Sequence, residues 1–492
     1  MKKYNLLKTI GIFFLVLVLL SWLIPVGTFS GSEFTEGTTV PVGLFDLFRV
    51  PLIAVGTFIQ YALVFLAIGG FYGVLNKTGV FVPFVDGVTK KFKGKEKLFL
   101  TIVIVLFSLL SSLSGLPIPL FILVPFVVAV ILNMGLSKLT ALAATVGAIL
   151  VGMIGSTYGF NVVGCINYFL SLEIHNQIIT KIILLVMLTF LLVMFVTGKV
   201  NVELKQGKKV EKKDTKKGNK KSDKKDEVIK SNEKIEIPFY ESKGNNKKSP
   251  VPMIIIGTLV VVLALVSMYN WYYGLEVTFF QELYTSLMEI QIGTYPIVSN
   301  ILGGVSQFGY WGYYELTVIL MISSLLIGWI YSVKFNDVLE GFIEGSKKML
   351  GVAFYATICG VLFTVLLSSQ SGTIYNTILN FFLQMAESLN VFAASIAAFI
   401  GGFFYNDFYY LLSASTGALS SKFDAVTLPV VGLVFQTMYG LSMLVFPTSI
   451  ALIAGLKYLE VSYKEWLKYI WRFLLSILVI ILIVLIIAVL FI

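Results

Sequence analysis

Histidine is all but missing from this 492-residue chain, where His175 stands alone. Serine–histidine or cysteine–histidine catalysis would rest on that one residue, and a metal site needs a cluster of His, Cys or acidic ligands around it. His175 instead sits in the polar stretch Leu172–Gln177 and reads as a solvated loop residue. Cysteine is as scarce: Cys165 and Cys359 each lie in an apolar stretch, so no disulfide framework is expected. No G-x-x-x-x-G-K-[ST] segment occurs, which excludes ATP hydrolysis by a phosphate loop. Charge is low as well, 13% of residues against about 25% in average soluble domains. A soluble chain of this size needs a charged surface. Soluble enzymes, nucleic-acid-binding modules and secreted disulfide scaffolds are therefore excluded as whole-chain readings.

What is present is hydrocarbon. The chain is 57% hydrophobic, with a mean hydropathy of +0.89. Runs such as Gly11–Pro25, Leu98–Leu110, Ile178–Val196 and Ile470–Ile492 approach or reach the roughly 20 apolar residues of a bilayer-spanning helix. The first run follows three lysines but lacks a small-x-small cleavage site, so it reads as an uncleaved first helix. The hydropathy pattern predicts about 10–12 spans, near 9–26, 51–75, 98–113, 119–136, 139–160, 178–197, 251–269, 313–332, 350–369, 391–420, 427–455 and 471–492. The segment 391–420 has the make-up of a re-entrant or broken element.

Charge orients these spans. Lysine-rich stretches at Lys2–Lys8, Lys90–Lys97, Lys199–Lys248 and Lys457–Arg472 are expected on the cytoplasmic side, and the acidic segments 27–48 and 270–297 outside. Residues 199–249 hold 17 lysines and nine acidic residues, which accounts for +8 of the net +10. That segment has too little apolar surface to offset its ordering entropy. It is expected to be a disordered cytoplasmic linker between an N-terminal membrane half, 1–198, and a C-terminal half, 250–492.

The halves echo each other in two ways. Phe84–Lys91, Val105–Phe107 and Ser111–Gly115 resemble Phe342–Lys348, Val361–Phe363 and Ser368–Gly372 at an offset of 256 to 258. A second pairing matches Gly115 and Thr157, 42 positions apart, with Asp407 and Thr448, 41 apart. The two pairings place the second tip differently, and an extra amphipathic segment near Thr373–Leu389 would reconcile them. Duplicated halves are a recurrent plan of secondary transporters, with substrate and ion near the midplane.

Small and hydroxylated residues interrupt the apolar pattern at four places. They single out Ser111, Ser112, Ser114 and Gly115, then Ser156, Thr157 and Asn161, then Asn406 and Asp407, and finally Thr448 and Ser449. Irregular backbone at membrane depth is tolerated only where it lines a cavity or packs on protein. Freed carbonyls and hydroxyls there suit a small cation, and half-helix N-termini suit a carboxylate. Close helix packing is the plainer explanation of any one cluster. Asp407 is either a functional intramembrane carboxylate or an interfacial residue among the tyrosines of its segment. Glu315 and Lys181 read as interfacial.

Four further stretches carry a family likeness: Gly69-Gly70 leading to Asn76–Gly79, Lys93–Lys97, Gly155–Thr157, and Pro447–Ser449 running on through Ala454–Leu456 to Ser462–Lys468. By these the chain resembles the YfcC family, C4-dicarboxylate anaerobic carrier-like, within the ion transporter superfamily. The resemblance implies an all-α polytopic membrane protein of the elevator type, with two inverted repeats, each with a re-entrant hairpin and a broken helix. Relatives include amino-acid antiporters, dicarboxylate carriers and short-chain fatty-acid carriers. Where the family often has paired glutamates after the first tip, this chain has Ser114, Gly115, Pro117 and Pro119.

The expected function is secondary transport of a small carboxylate-bearing solute, an amino acid first and a C4-dicarboxylate or short-chain fatty acid as the alternative. A multipass enzyme or scaffold is the rival of another class. No catalysis and no bound cofactor are expected; H⁺ or Na⁺ would be the coupling ion. Partners are the solute, the lipid bilayer of the cell membrane and a second copy in a homodimer, with no nucleic acid.

Overall fold

The computed structural model describes residues 5–31, 33–217, 237–240, 248–367, 372–385 and 391–491. Most of these are helix. Eight helices are long and apolar enough to cross a membrane, and five shorter apolar ones lie between them. The chain is an all-α multi-pass membrane protein.

The first half opens with α1 (Asn5–Leu23), a two-stranded ribbon, and α2 (Asp46–Thr57) leading into α3 (Ile59–Thr78). The ribbon pairs β1 (Gly27–Ser30) antiparallel with β2 (Glu33–Glu36). The short α4 (Phe81–Lys91) follows. Next comes a helical hairpin, α5 (Glu96–Ser114) and α6 (Val124–Asn133), joined by the tip at Gly115–Leu123. A broken helix follows as α7 (Lys138–Ile154) and α8 (Phe160–Leu170), and then the long α9 (Ile178–Lys217).

The second half repeats this order. After α10 (Val251–Met268) and α11 (Tyr313–Ile330) comes the crossing helix α12 (Phe335–Leu367). The short α13 (Ile374–Gln384) precedes a hairpin of α14 (Val391–Phe404) and α15 (Phe408–Lys422) with its tip at Tyr405–Asp407. A second broken helix, α16 (Leu428–Met443) and α17 (Ile450–Tyr458), leads to α18 (Tyr463–Leu490). The spans expected at 98–113 and 119–136 are thus the two arms of one hairpin, and 391–420 is re-entrant.

This order follows the pairing of Gly115 with Asp407. The offset of 256–258 instead pairs α4 with the middle of α12, two unlike elements, and its Ser368–Ser371 lies outside the described residues. The amphipathic segment expected near Thr373 is α13, with Thr373 as its N-cap; it stands where α4 stands in the first half and is no insertion.

The hairpins enter from opposite ends. The base of the first lies beside Lys138, which pairs with Glu460 at 3.9 Å. The second leans on the ribbon at the other end, where Gly417 faces the Gly31 carbonyl and Gly27 bridges to Thr373.

The halves are joined where α3 crosses α12. Gly69, Gly70 and Gly73 face Phe342, Gly341 and Gly345, and a Cβ added at Gly69 would lie 2.5 Å from the Gly345 carbonyl oxygen. Small residues at such a crossing let backbones approach, the main source of cohesion between helices in lipid. Lys77 of α3 bridges Glu340 and Glu344 of α12, each at 3.1 Å.

The lysine-rich linker departs from expectation in two places. Helix α9 runs on to Lys217, and Ile237–Tyr240 is docked on the membrane halves. Phe239 is fully buried there, and the Tyr240 hydroxyl donates to Asp86. The remainder of 199–249, residues 218–236 and 241–247, lies outside the described residues.

Candidate functional site

Four helix breaks converge on one cavity. The first tip contributes Gly115, Pro117 and Ile118; the first broken helix gives Leu150, Met153 and Asn161; the second tip gives Asn406, Asp407 and Phe408; the second broken helix gives Tyr439, Met443 and Ser449–Ala451. Each break ends one helix and starts another. Carbonyls of the ending helices and first-turn amides of the starting ones are left over by the helical pattern, the former suited to cations and the latter to anions.

Local sequence sets each break. Gly115 takes φ +68° as the left-handed C-cap of α5, and a Cβ there would sit 3.0 Å from Gly159. Pro117 and Pro119 cannot continue α5. Asp407 caps α15, its Oδ1 accepting from the Tyr409 amide at 2.9 Å. Ser449 caps α17 in the same manner, taking the Leu452 amide at 3.3 Å.

The cavity has about 60 Å³, well above the roughly 10–15 Å³ that a single water needs. It adjoins a larger one of about 410 Å³, and the two share Tyr61, Asn161, Tyr313, Asn406 and Asp407. The larger is walled by Gly309–Tyr313, next to the acidic segment 270–297. Among the described residues Asp407 is the one charged side chain in either lining. Asn406 beside it is unusual. Both its amide oxygen and its amide nitrogen are buried without a hydrogen-bond partner, a state that native proteins rarely leave unexplained.

The residues expected from sequence divide into two groups. Gly115, Asn161, Asn406, Asp407 and Ser449 line the cavity. Ser111, Ser112, Ser114, Ser156, Thr157 and Thr448 do not; their hydroxyls are engaged elsewhere. Ser111 donates to the Ile149 carbonyl at 2.7 Å and Ser112 to that of Gly155 at 2.8 Å. The Ser112 carbonyl accepts from the Thr157 and Gly159 amides and from the Ser156 hydroxyl. Ser114 donates to Leu110 within its own helix. In the second half Thr448 donates to the Gly402 carbonyl at 2.6 Å. In both halves, then, hydroxyls lock a hairpin arm onto its broken helix.

That lock predicts a contrast. Ser112→Ala strands the buried Gly155 carbonyl and Thr157 hydroxyl, and is expected to cost about 2 kcal/mol, read as a lowered melting temperature in detergent with slower transport. Ser114→Ala removes a bond within its own helix turn and the acceptor of the Leu116 amide at 3.2 Å, and is expected to cost less, about 1 kcal/mol.

Several participants carry no sequence signal. Tyr61 and Tyr313, from α3 and α11, pack with their rings tilted, 4.6 Å between centroids, and form one wall. Gln436 of α16 reaches across the halves, donating to the carbonyls of Ile154 at 3.1 Å and Ser156 at 2.8 Å. It thereby holds the end of the first broken helix. A glutamine inside the apolar run Leu428–Met443 was the available hint. Of the other polar residues, Lys181 is buried and donates to the Asn176 carbonyl at 2.7 Å, and Glu315 closes a capping box on the Gly312 amide. His175 is exposed beside Tyr158, 3.3 Å from its hydroxyl.

Comparison with known proteins bears on the site as a whole. Among solved structures, the Alcanivorax borkumensis YdaH transporter aligns over 97% of this chain and 97% of its own, at 14% identity and a TM-score of 0.30. No curated protein matches. The profile of the DcuC family, described as C4-dicarboxylate anaerobic carrier, matches residues 6–490. A match over nearly the whole length places this chain in the C4-dicarboxylate anaerobic carrier family, DcuC, and makes it a secondary carrier of the membrane.

Proposed function

We propose that this carrier moves a small amino acid, coupled to H⁺ or Na⁺ or exchanged for a second solute. The observation that supports it most is the pair Asn406–Asp407. Asn406 offers a buried donor and a buried acceptor, both unpartnered, beside a carboxylate, where no basic side chain lines the cavity among the described residues. An amino acid answers all three groups. Its ammonium faces Asp407 and the Asn406 oxygen, and its carboxylate takes the Asn406 nitrogen and the first-turn amides at Ile450 and Ala451. The small cavity favours a short side chain. The resemblance to the YfcC group, whose relatives include amino-acid antiporters, points the same way.

A C4-dicarboxylate is the second reading, and the family match favours it. It gives Asn406 only an acceptor and brings two negative charges to Asp407, so a proton or a cation would have to bind with it. The cytoplasmic membrane, with the N-terminus and the lysine-rich linker inside, follows from the charge distribution.

Reconstituted protein loaded with unlabelled solute decides between them. Labelled small amino acids are expected to accumulate by counterflow, and succinate not to; imposed pH and Na⁺ gradients then identify the coupling ion. Succinate counterflow without amino-acid counterflow would overturn the first reading in favour of the second. Flux of either kind without saturation or counterflow would instead mark a channel.

A further inference from the structure

Ile237–Tyr240 of the linker lines no part of the tip cavity, yet one side chain connects it to the first tip. Phe239, fully buried, packs on the Tyr72 ring of α3 at 5.6 Å between centroids. The Tyr72 hydroxyl in turn donates at 2.7 Å to the carbonyl of Ile122, in the tip of the first hairpin. Phe81 of α4 meets the same ring edge-on at 5.4 Å. The ring that ties the tip to α3 is thus backed by the linker.

Tyr240 fastens the segment to the base of the same hairpin. Its hydroxyl donates to Asp86 of α4. Asn133, the last residue of α6, donates to Asp86 at 3.0 Å and to Thr89 at 3.3 Å. A turn closed by the Tyr240 amide on the Ile237 carbonyl, at 3.2 Å, holds the segment in shape. The segment therefore bridges α3, which joins the two halves, and the hairpin that carries the first tip. Its seat is not filled. A cavity of about 290 Å³ remains beside Pro238 and Phe239, between α6, α12 and α17. A permanent anchor is packed closely, because each missing contact forfeits dispersion. This one is apolar enough to dock and loose enough to leave.

We propose that Ile237–Tyr240 is an autoinhibitory latch on the first hairpin: seated, it holds the tip against α3 and slows the carrier, and it leaves its seat for the site to change sides. A secondary carrier exposes its midplane site to each side in turn, so the groups around the site shift against the helices that join the halves. Moving the first tip away from α3 breaks the bond from Tyr72 to Ile122. The Tyr72 ring cannot swing aside while Phe239 and Phe81 flank it. The free energy of docking Phe239 therefore adds to the barrier of the cycle, whichever solute is carried.

Counterflow in proteoliposomes and thiol labelling in detergent test it together, on the full-length protein. Phe239→Ala is expected to raise the exchange rate by roughly tenfold, for whichever of labelled small amino acids and succinate the wild type exchanges. Tyr240→Phe, which loses one bond to Asp86, should raise it by roughly twofold to fivefold, and gives the reading if Phe239→Ala does not fold. Met443, 3% exposed in the tip cavity, supplies a readout that needs no solute. A water-soluble maleimide should alkylate a Met443→Cys protein at least about threefold faster once Phe239→Ala is added. Peptide mapping separates that thiol from the buried Cys165 and Cys359. A structural brace would behave in the opposite way, since its loss slows exchange. Exchange unchanged or slowed in both variants, or alkylation left at the Met443→Cys rate, overturns the latch. A wild type that exchanges neither probe overturns the solute readings instead, and the alkylation then decides the latch alone.

Discussion

Asp407→Asn is expected to reduce amino-acid counterflow by roughly 100- to 1000-fold while the protein still folds and inserts. The exchange is isosteric, and an asparagine oxygen can still cap α15 by accepting from the Tyr409 amide, the 2.9 Å bond that Asp407 makes now. What disappears is the one charged side chain in the lining among the described residues. An ammonium brought into a cavity without its counter-charge loses about 3–4 kcal/mol, the cost of leaving a buried charge unpaired, and every 1.4 kcal/mol is tenfold. The sign reverses for a dicarboxylate. Two like charges 4 Å apart repel by about 4 kcal/mol at an effective dielectric constant of 20, so removing Asp407 would hold or raise dicarboxylate affinity. Rates for both solutes in one variant therefore separate the two substrate readings. Wild-type exchange of amino acids by Asp407→Asn would remove this residue from the mechanism.

Gly69→Leu is expected to damage the fold severely. A Cβ at Gly69 meets the Gly345 carbonyl oxygen at 2.5 Å and its carbon at 3.0 Å, and backbone cannot turn aside as a side-chain tip can. Helices α3 and α12 would have to separate along the crossing that joins the two halves. Overpacking of this kind costs about 3 kcal/mol or more, out of a stability that is commonly 5–15 kcal/mol. A drop of roughly 5–10 °C in detergent melting temperature is the expected reading. Gly257→Leu is the control: nothing lies within 4 Å of a Cβ there, so melting should hold. Equal melting of the two variants would mean that the close crossing contributes little.

Much of the plan was legible because it is written in local terms. Hydropathy depends on a single stretch of chain, so long runs marked α1, α9, α10 and α18. A helix must also end where its own residues end it. Gly115 with two prolines after it, Asp407 after Gly401-Gly402, and Ser449 after Pro447 were visible as breaks without any partner. The composition of the linker located most of the charge. It did not foretell that α9 runs on to Lys217, or that Phe239 is an anchor, because an apolar side chain shows its role only beside the surface it covers.

The sequence by itself determined the class of the molecule and four points at which its helices break, one of them at Asp407. Only the tertiary structure decided which polar atoms at those breaks remain open. Ser111, Ser112, Ser156, Thr157 and Thr448 looked as suited to a ligand as Asn161 and Ser449. Their hydroxyls are instead spent on carbonyls or, for Thr157, on the Ser112 hydroxyl, 38 to 46 positions away, and Gln436 reaches a carbonyl 282 positions away. Tyr61 and Tyr313 likewise reach the cavity through the crossing of α3, α11 and α12. A hydrogen bond can be made once, and its partner is chosen by packing across the fold. The composition of a segment reveals how many donors and acceptors it carries, and the folded chain settles which of them are left for a substrate.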